Sequence, residues 1–243
     1  MTGCLVIIGG HEDRVGERVI LREVARHLGG APLLLVTFAS KEPAKYVDIY
    51  REAFGDLGVD ITAPTLAQLL DDPSPIAAAG GVFLSGGDQN RLVEAIRGTG
   101  VERALLKARE GGAVIAGTSA GASAMSGTML SRGPSDESPV KADIELAPGL
   151  GLLPGVLVDQ HFAERGRIGR LIVALAGDTD SLAIGIDEDT AVVVRDRRFE
   201  VIGAGAVYVL DAAGSTATTG FALHLLQSGD AFDLDERAAI LGA

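Results

Sequence analysis

Short apolar runs alternate along the chain with amphipathic stretches. Residues 5–9 and 33–38 are hydrophobic at nearly every position, which is typical of strands buried on both faces. The same pattern predicts strands at residues 81–85, 113–117 and 156–158. Helical spacing of apolar positions predicts helices between them. The predicted helices cover residues 14–28, 43–57, 90–96 and 102–109, with a further core-facing stripe made by Ile168, Leu171, Ile172 and Leu175.

The pattern becomes rich in strands after residue 182. Short apolar runs lie at residues 182–186, 191–194, 199–202 and 206–210, separated by polar or glycine turns. Alternating strands and helices predict an α/β protein with a mostly parallel sheet covered on both faces. The late strands should add antiparallel strands at one edge. We expect one domain over residues 1–243, and residues 131–150, rich in Pro, Ser, Asp and Glu, should form a loop near the active site.

Composition and charge exclude several classes of function. The 243 residues carry 21 basic and 33 acidic side chains, and the resulting charge of −12 argues against a nucleic-acid partner. Cys4 is the single cysteine, so neither an intramolecular disulfide nor a cysteine-rich metal site can form. The first residues lack the basic stretch of a signal peptide, and no membrane segment is predicted. We therefore expect a cytoplasmic protein.

The segment Gly117-Thr118-Ser119-Ala120-Gly121 has the pattern G-x-S-x-G and directly follows a predicted strand. A small-residue run that should form a helix begins around Ala120. Strand, sharp turn and helix are the context that a nucleophile elbow requires. The sequence thus predicts Ser119 as a nucleophile, with a closely packed Gly/Ser turn as the alternative.

A serine nucleophile needs a base and an acid that orients the base. His161 follows the predicted strand at residues 156–158 and is our candidate base, with His11, also at a strand end, in reserve. Glu188 follows another strand and is the candidate acid, although its neighbours Asp187 and Asp189 are possible.

The resulting order along the chain is serine, histidine, acid. Hydrolases of the α/β-hydrolase fold have the order serine, acid, histidine. The order therefore argues against that fold, although Asp136 and Asp143 keep it formally open.

A second glycine-rich strand end is Ser85-Gly86-Gly87-Asp88-Gln89. The backbone N–H of Gly87 or Asp88, together with that of Ala120, could form an oxyanion hole. Alternatively, Asp88 caps the helix that begins near Asn90, and both roles are compatible.

Three arginines, Arg165, Arg167 and Arg170, follow His161 closely in a strongly acidic chain. Guanidinium groups bind carboxylates bidentately, so this cluster could hold a substrate carboxylate, unless it is a solvated helix start. The glycines at residues 9–10 lack the spacing of a dinucleotide fingerprint, and we expect no cofactor and no metal.

Four segments together resemble the signature set of the cyanophycinase family. They are Gly86-Gly87-Asp88-Gln89, the run from Gly117 to Ser126, Asp159-Gln160-His161-Phe162 with Arg165, Arg167, Gly169 and Arg170, and the run from Gly185 to Ala191. The resemblance extends over residues 5–210. It departs at His11, where the family pattern leads us to expect a small residue.

The resemblance implies a flavodoxin-like three-layer α/β/α sandwich of the class I glutamine amidotransferase type. It implies a serine exopeptidase that acts on cyanophycin, a poly-aspartate with arginine amide-linked to each β-carboxyl, and releases β-Asp-Arg. Ser119, His161 and Glu188 would be the triad. By resemblance the protein forms a homodimer and needs no cofactor. The residues that would line the substrate groove are Gln89, Asp159, Gln160, Arg165, Arg167 and Arg170.

We expect a substrate carboxylate to meet one of the three arginines, and an acid such as Asp159 to meet the substrate guanidinium. Three other functions remain as alternatives: an aspartyl dipeptidase of the same fold, a non-catalytic binding module, and an unrelated esterase.

Overall fold

The computed structural model describes residues 2–134, 143–176, 182–212 and 220–242. Its centre is a nine-stranded sheet in which one half is parallel and the other half antiparallel. The parallel strands, from the centre to the edge, are β1 (Leu5–Ile8), β5 (Val114–Thr118), β4 (Gly81–Leu84), β2 (Leu33–Val36) and β3 (Ile61–Thr62). The antiparallel strands, again from the centre outward, are β10 (Thr190–Arg195), β11 (Arg198–Gly203), β14 (Ala231–Asp233) and β15 (Ala238–Ile240).

Helices cover both faces of this sheet. Successive residues of β1 point to opposite sides, so that Leu5 and Ile7 join one apolar core and Val6 and Ile8 join the other. The Val6 side is covered by α1 (Val19–His27) and α2 (Pro43–Gly55). The Leu5 side is covered by α3 (Leu66–Asp71), α4 (Ser74–Ala78), α5 (Gln89–Ile96), α6 (Gly100–Glu110) and α7 (Ala120–Ala124). The predicted α/β/α sandwich is confirmed.

A second sheet of four strands packs against the apolar core on the Leu5 side of the main sheet. Two of its strands are parallel, and α8 (Ile168–Leu175) connects them and covers the outer face of the sheet. The strands, in order, are β13 (Ala222–Leu226), β12 (Val207–Asp211), β9 (Leu182–Ile186) and β8 (Val156–Gln160).

This second sheet corrects the expectation that all the late strands extend one edge. After β9 the chain crosses through residues 187–189 into the main sheet, and after β11 it returns to the second sheet as β12. β9 belongs to the second sheet and not to the main sheet because it pairs in parallel with β8. This pairing places Ile184 and Ile186 in the core between the two sheets.

The expectation that residues 131–150 form a loop is partly wrong. Its ends belong to an antiparallel pair formed by β6 (Thr128–Arg132) and β7 (Glu145–Pro148). Leu130 is buried and lies opposite Leu146, which is 41% exposed, so the two strands pair in spite of the polar composition of the segment. Residues 135–142, and with them Asp136, lie outside the described residues.

The first helix also begins later than predicted. The side chain of Asp13 accepts hydrogen bonds from the N–H groups of Val15, Gly16 and Arg18. These bonds hold the segment in a non-helical turn, although the pattern predicts a helix there. Val15 consequently lies exposed.

None of the helices in the described ranges is long and apolar enough to cross a membrane. The cytoplasmic location and the single domain over residues 1–243 stay predictions.

Candidate active site

Ser119 lies in the sharp turn between β5 and α7. Its backbone has φ 52° and ψ −113°, a combination that L-residues rarely adopt and that costs about 1–3 kcal/mol. Gly117 and Gly121 allow the turn to pack, because a Cβ on Gly121 would lie 2.2 Å from the carbonyl oxygen of Leu84. The strained turn lifts the Ser119 hydroxyl above the end of the sheet, as a nucleophile elbow does.

The structure brings Ser119, His161 and Glu188 together in one chain of hydrogen bonds. Ser119 Oγ lies 2.9 Å from His161 Nε2, and His161 Nδ1 lies 2.6 Å from Glu188 Oε1. The three side chains have different origins: Ser119 follows β5 of the main sheet, His161 follows β8 of the second sheet, and Glu188 lies in the crossover between the sheets. This is the geometry in which an imidazole takes a proton from a serine.

The two alternative acids accept hydrogen bonds from backbone N–H groups and not from the imidazole of His161. The carboxylate of Asp187 accepts the N–H groups of Ala163, at 2.9 Å, and Ala206, at 3.1 Å. Asp189 Oδ1 accepts the N–H of Asp13 at 2.8 Å. Both acids therefore fix the loops around Glu188.

Backbone hydrogen bonds join the loop after β1 to the two catalytic loops. The His161 N–H donates to the Gly9 carbonyl oxygen at 2.8 Å, and the Asp189 N–H donates to that of Gly10 at 2.9 Å. Gly10 has φ 104° and packs against the face of the imidazole. The central strand of one sheet thereby sets the position of a histidine from the other.

The electrostatics favour a neutral imidazole beside an ionised carboxylate. Burial lowers the pKa of His161, and the charges of Arg165 and His11 act in the same direction against the opposing effect of Glu188. Partial burial alone would raise the pKa of Glu188, but hydrogen bonds from His161 and His11 outweigh it and lower that pKa. At neutral pH His161 is thus ready to accept a proton.

His11, the reserve candidate for the base, lies on the other oxygen of Glu188. Its Nδ1 is 2.7 Å from Glu188 Oε2, and its ring meets that of His161 edge-on at 5.1 Å between centroids. Ligand atoms of His11, His161 and Glu188 lie within 4.8 Å of one another, a spacing that a metal ion could use. Because their facing atoms are already hydrogen-bonded to each other, we assign no metal to them.

Two of the three predicted oxyanion donors remain available. The Asp88 N–H donates to the Ala39 carbonyl oxygen at 3.0 Å, and the Asp88 carboxylate caps α5, so Asp88 is the cap and not the donor. Gly86, the residue before Gly87, lies beside the nucleophile, since a Cβ on Gly86 would lie 3.4 Å from Ser119 Cβ. Among the described residues the N–H groups of Gly87 and Ala120 have no acceptor.

Asp159 and two of the arginines form a buried ion pair network. Asp159 is fully buried, and its carboxylate binds Arg170 through Nε at 2.6 Å and Arg167 through Nη1 at 3.2 Å. The expectation that Asp159 meets a substrate guanidinium is therefore not supported by this geometry, because the carboxylate already has two guanidinium partners.

The remaining predicted groove residues lie around this network. The Gln160 side-chain oxygen accepts from Arg167 at 3.0 Å, Gln89 donates to the Leu130 carbonyl oxygen at 2.9 Å, and Arg165 is exposed. Burial lowers the pKa of Arg167 to about 10. Within the described part of the chain, Arg167 Nε is buried without a hydrogen-bond partner. A buried donor of this kind is costly unless a ligand accepts from it.

Glu12 is a buried residue that the sequence reasoning missed. Its carboxylate accepts hydrogen bonds from Thr118 Oγ1 at 2.5 Å and from the Tyr50 hydroxyl at 2.6 Å. Thr118 directly precedes the nucleophile, so the hydrogen bond to Glu12 helps to fix the turn that carries Ser119. An acid two residues after the glycines of a strand end was the available signal.

Comparisons with known proteins point to one family of peptidases. The pattern of Peptidase family S51 matches residues 5–202. A cyanophycinase from Nostoc sp. is 38% identical over 97% of this chain and 87% of the relative. A cyanophycinase from Thermosynechococcus vestitus is 35% identical over 96% of this chain and 79% of the relative. Peptidase E from Streptomyces coelicolor is 35% identical over only 38% of this chain and 37% of that protein.

A solved structure shares the fold. The crystal structure of a peptidase from an acI-B1 Actinobacterium superposes with a TM-score of 0.77 at 21% identity and covers 96% of this chain and 97% of that chain. The family pattern and relatives that match nearly the whole chain lead to one conclusion: the chain belongs to peptidase family S51 and is a serine-type hydrolase.

Proposed function

We propose that the protein hydrolyses cyanophycin and releases β-Asp-Arg dipeptides through an acyl-enzyme on Ser119. The observation that carries the proposal is the unbroken contact from Ser119 through His161 to Glu188, at 2.9 and 2.6 Å. The substrate follows from relatives named cyanophycinase that match nearly the whole chain at 34–38% identity.

The chemistry proceeds in two acyl-transfer steps. Ser119 Oγ attacks a backbone carbonyl carbon of the polymer while His161 Nε2 accepts the hydroxyl proton. The N–H groups of Gly87 and Ala120 stabilise the oxyanion, and His161 then donates its proton to the leaving amine. Water then attacks the acyl carbon of the ester while His161 accepts a proton from it. The bond from that carbon to Ser119 Oγ breaks, and His161 returns the proton to Oγ. Glu188 stays ionised and holds the imidazole in the productive tautomer.

The proposed groove recognises a substrate that carries one carboxylate and one guanidinium per unit. Arg165, which is exposed, and Arg167, whose Nε has no hydrogen-bond partner within the described ranges, bind substrate carboxylates. Asp159 and Arg170 hold Arg167 in place, and Gln89 and Gln160 line the same region. Binding by guanidinium suits carboxylates because two N–H groups match two oxygens.

The test is incubation of the purified protein with cyanophycin, followed by mass spectrometry of the soluble products. We expect a β-Asp-Arg dipeptide, and we expect Ser119→Ala to lower kcat by about 10⁴–10⁶, the range of triad deletions. Release of dipeptide by Ser119→Ala at the wild-type rate would refute the mechanism.

A second activity, cleavage of another Asp-containing peptide, is favoured only by the partial match to Peptidase E. Parallel assays with α-Asp dipeptides separate the two activities. If those dipeptides are cleaved and the polymer is not, the substrate assignment is wrong while the serine mechanism stands.

We also infer a homodimer. β13 lies at one edge of the second sheet, and Leu223 and Leu225 are 51% and 55% exposed on it. Exposed apolar side chains on an edge strand are typical of an interface. Light scattering on the eluted protein should give twice the chain mass, and Leu223→Glu should lower that mass to one chain.

A further inference from the structure

His11 has no role in the mechanism derived above, although its imidazole contacts the triad acid. The Glu188 carboxylate holds two imidazoles at once, with Oε1 at 2.6 Å from His161 Nδ1 and Oε2 at 2.7 Å from His11 Nδ1. An ionised carboxylate can only accept hydrogen bonds, so both Nδ1 atoms carry the proton.

The backbone fixes the place of His11. The carbonyl oxygen of Gly10, the residue before it, accepts the Asp189 N–H at 2.9 Å. Asp13, two residues after it, donates its N–H to Asp189 Oδ1 at 2.8 Å. His11 itself has φ 47°, in the left-handed region. The loop after β1 is thus tied on both sides of His11 to the residue that follows Glu188.

Glu188 needs a second partner to stay in place. Its side chain is 25% exposed, so solvent competes for the carboxylate, and a glutamate loses much rotamer freedom when it is held in one conformation. A single hydrogen bond, through Oε1, leaves the carboxylate able to turn about the bond between Cγ and Cδ. A donor on Oε2 removes that rotation and keeps Oε1 aimed at His161.

We propose that His11 is a positioning residue, which holds Glu188 through Oε2 so that Oε1 orients His161 for proton transfer from Ser119. The inference rests on the proposed function only in the role of Glu188 as the triad acid, and it does not depend on which peptide is cleaved.

Two substitutions separate the hydrogen bond from the rest of the side chain. In His11→Asn the amide nitrogen takes nearly the place of Nδ1, and asparagine tolerates a positive φ well. In His11→Gly the donor is lost without backbone strain. The matched control is His27→Asn, because His27 lies on α1 at 3.0 Å from Glu23 and is a histidine–glutamate pair outside the site.

The measurement is the rate at which phenylmethylsulfonyl fluoride modifies Ser119 at one fixed pH. In this reaction the Ser119 oxygen bonds to sulfur, fluoride leaves and His161 accepts the hydroxyl proton. The kcat and KM values for the polymer are measured beside it. We expect His11→Gly to lower the modification rate and kcat about tenfold, the effect of about one hydrogen bond to a charged group. KM should stay within about twofold, and His11→Asn should recover most of the loss.

Each other outcome overturns the inference. Unchanged rates in His11→Gly would show a surface contact without a role. A raised KM with an unchanged kcat would make His11 a substrate ligand. An equal loss in His11→Asn and His11→Gly would show that the donor is irrelevant, and an equal loss in His27→Asn would show an effect unrelated to the site. If the wild type reacts with the probe but releases no dipeptide, the substrate assignment fails while the test of His11 remains valid.

Discussion

Gly10 and His161 are in contact so close that residue 10 has no room for a side chain. A Cβ on Gly10 would lie 2.3 Å from His161 Cε1 and 2.5 Å from Nε2. Gly10→Ala must therefore push the imidazole away from Ser119. Because a displacement of about 1 Å can cost about 100-fold in rate, we expect kcat/KM to fall at least that much.

Gly30→Ala is the control for this prediction. Gly30 also has a positive φ, 85°, but nothing lies within 4 Å of a Cβ placed there. This variant should lose about 1 kcal/mol of stability through backbone strain and keep its activity. Similar kinetics for Gly10→Ala and Gly30→Ala would contradict the contact with His161.

The activity should extend further into the acid range than an ordinary histidine permits. His161 works as a base only when neutral, and burial lowers its pKa from 6.5. The acid limb of kcat/KM should accordingly lie below pH 6.5. The charge of Arg165 also lowers this pKa, so Arg165→Gln should move the limb to higher pH. A wild-type limb above pH 6.5 would contradict the prediction.

Asp159→Asn should destabilise the fold strongly. The substitution leaves two buried guanidinium groups, of Arg167 and Arg170, without their anion, and breaking a buried pair in this way costs about 3–5 kcal/mol. Asp235→Asn removes a comparable pair with Arg197 at 2.9 Å, but that carboxylate is 65% exposed. The control should therefore lose less than about 1 kcal/mol. Urea unfolding gives both free energies, and equal losses would refute the difference in burial.

The strain at Ser119 predicts a difference between two variants that both lack the nucleophile. Ser119→Gly relieves the backbone conformation at φ 52° and ψ −113°, whereas Ser119→Ala keeps a Cβ in it. We expect the glycine variant to be more stable by about 1 kcal/mol, although glycine is usually the less stabilising residue. Thermal unfolding measures this difference. An alanine variant as stable as the glycine variant would argue against stored strain.

The fold class and the candidate triad were accessible from sequence for one reason. Buried parallel strands are continuous apolar runs, so polar residues that follow directly after such runs are conspicuous. Ser119, His161 and Glu188 each follow a run of this kind. Since ligands bind beyond the carboxyl ends of such strands, the three could be assigned to one site before their distances were known.

Features that depend on pairing between distant segments were not accessible. The local pattern of β9 does not reveal that it pairs with β8 instead of extending the main sheet. The spacing of charges near His161 suggested open substrate ligands, whereas Asp159 and Arg170 satisfy each other in the interior. The contact of His11 with Glu188 joins segments 177 residues apart along the chain, and only the folded backbone brings them together.

The division of the triad between two sheets links catalysis to a seam inside the molecule. The nucleophile belongs to one sheet and its base to the other, and the hydrogen bond between Gly9 and His161 spans the boundary. A ligand or a mutation that widens the boundary between the two sheets by a fraction of a bond length would abolish activity while leaving both sheets intact. Loss of activity should therefore precede loss of secondary structure when the protein is warmed.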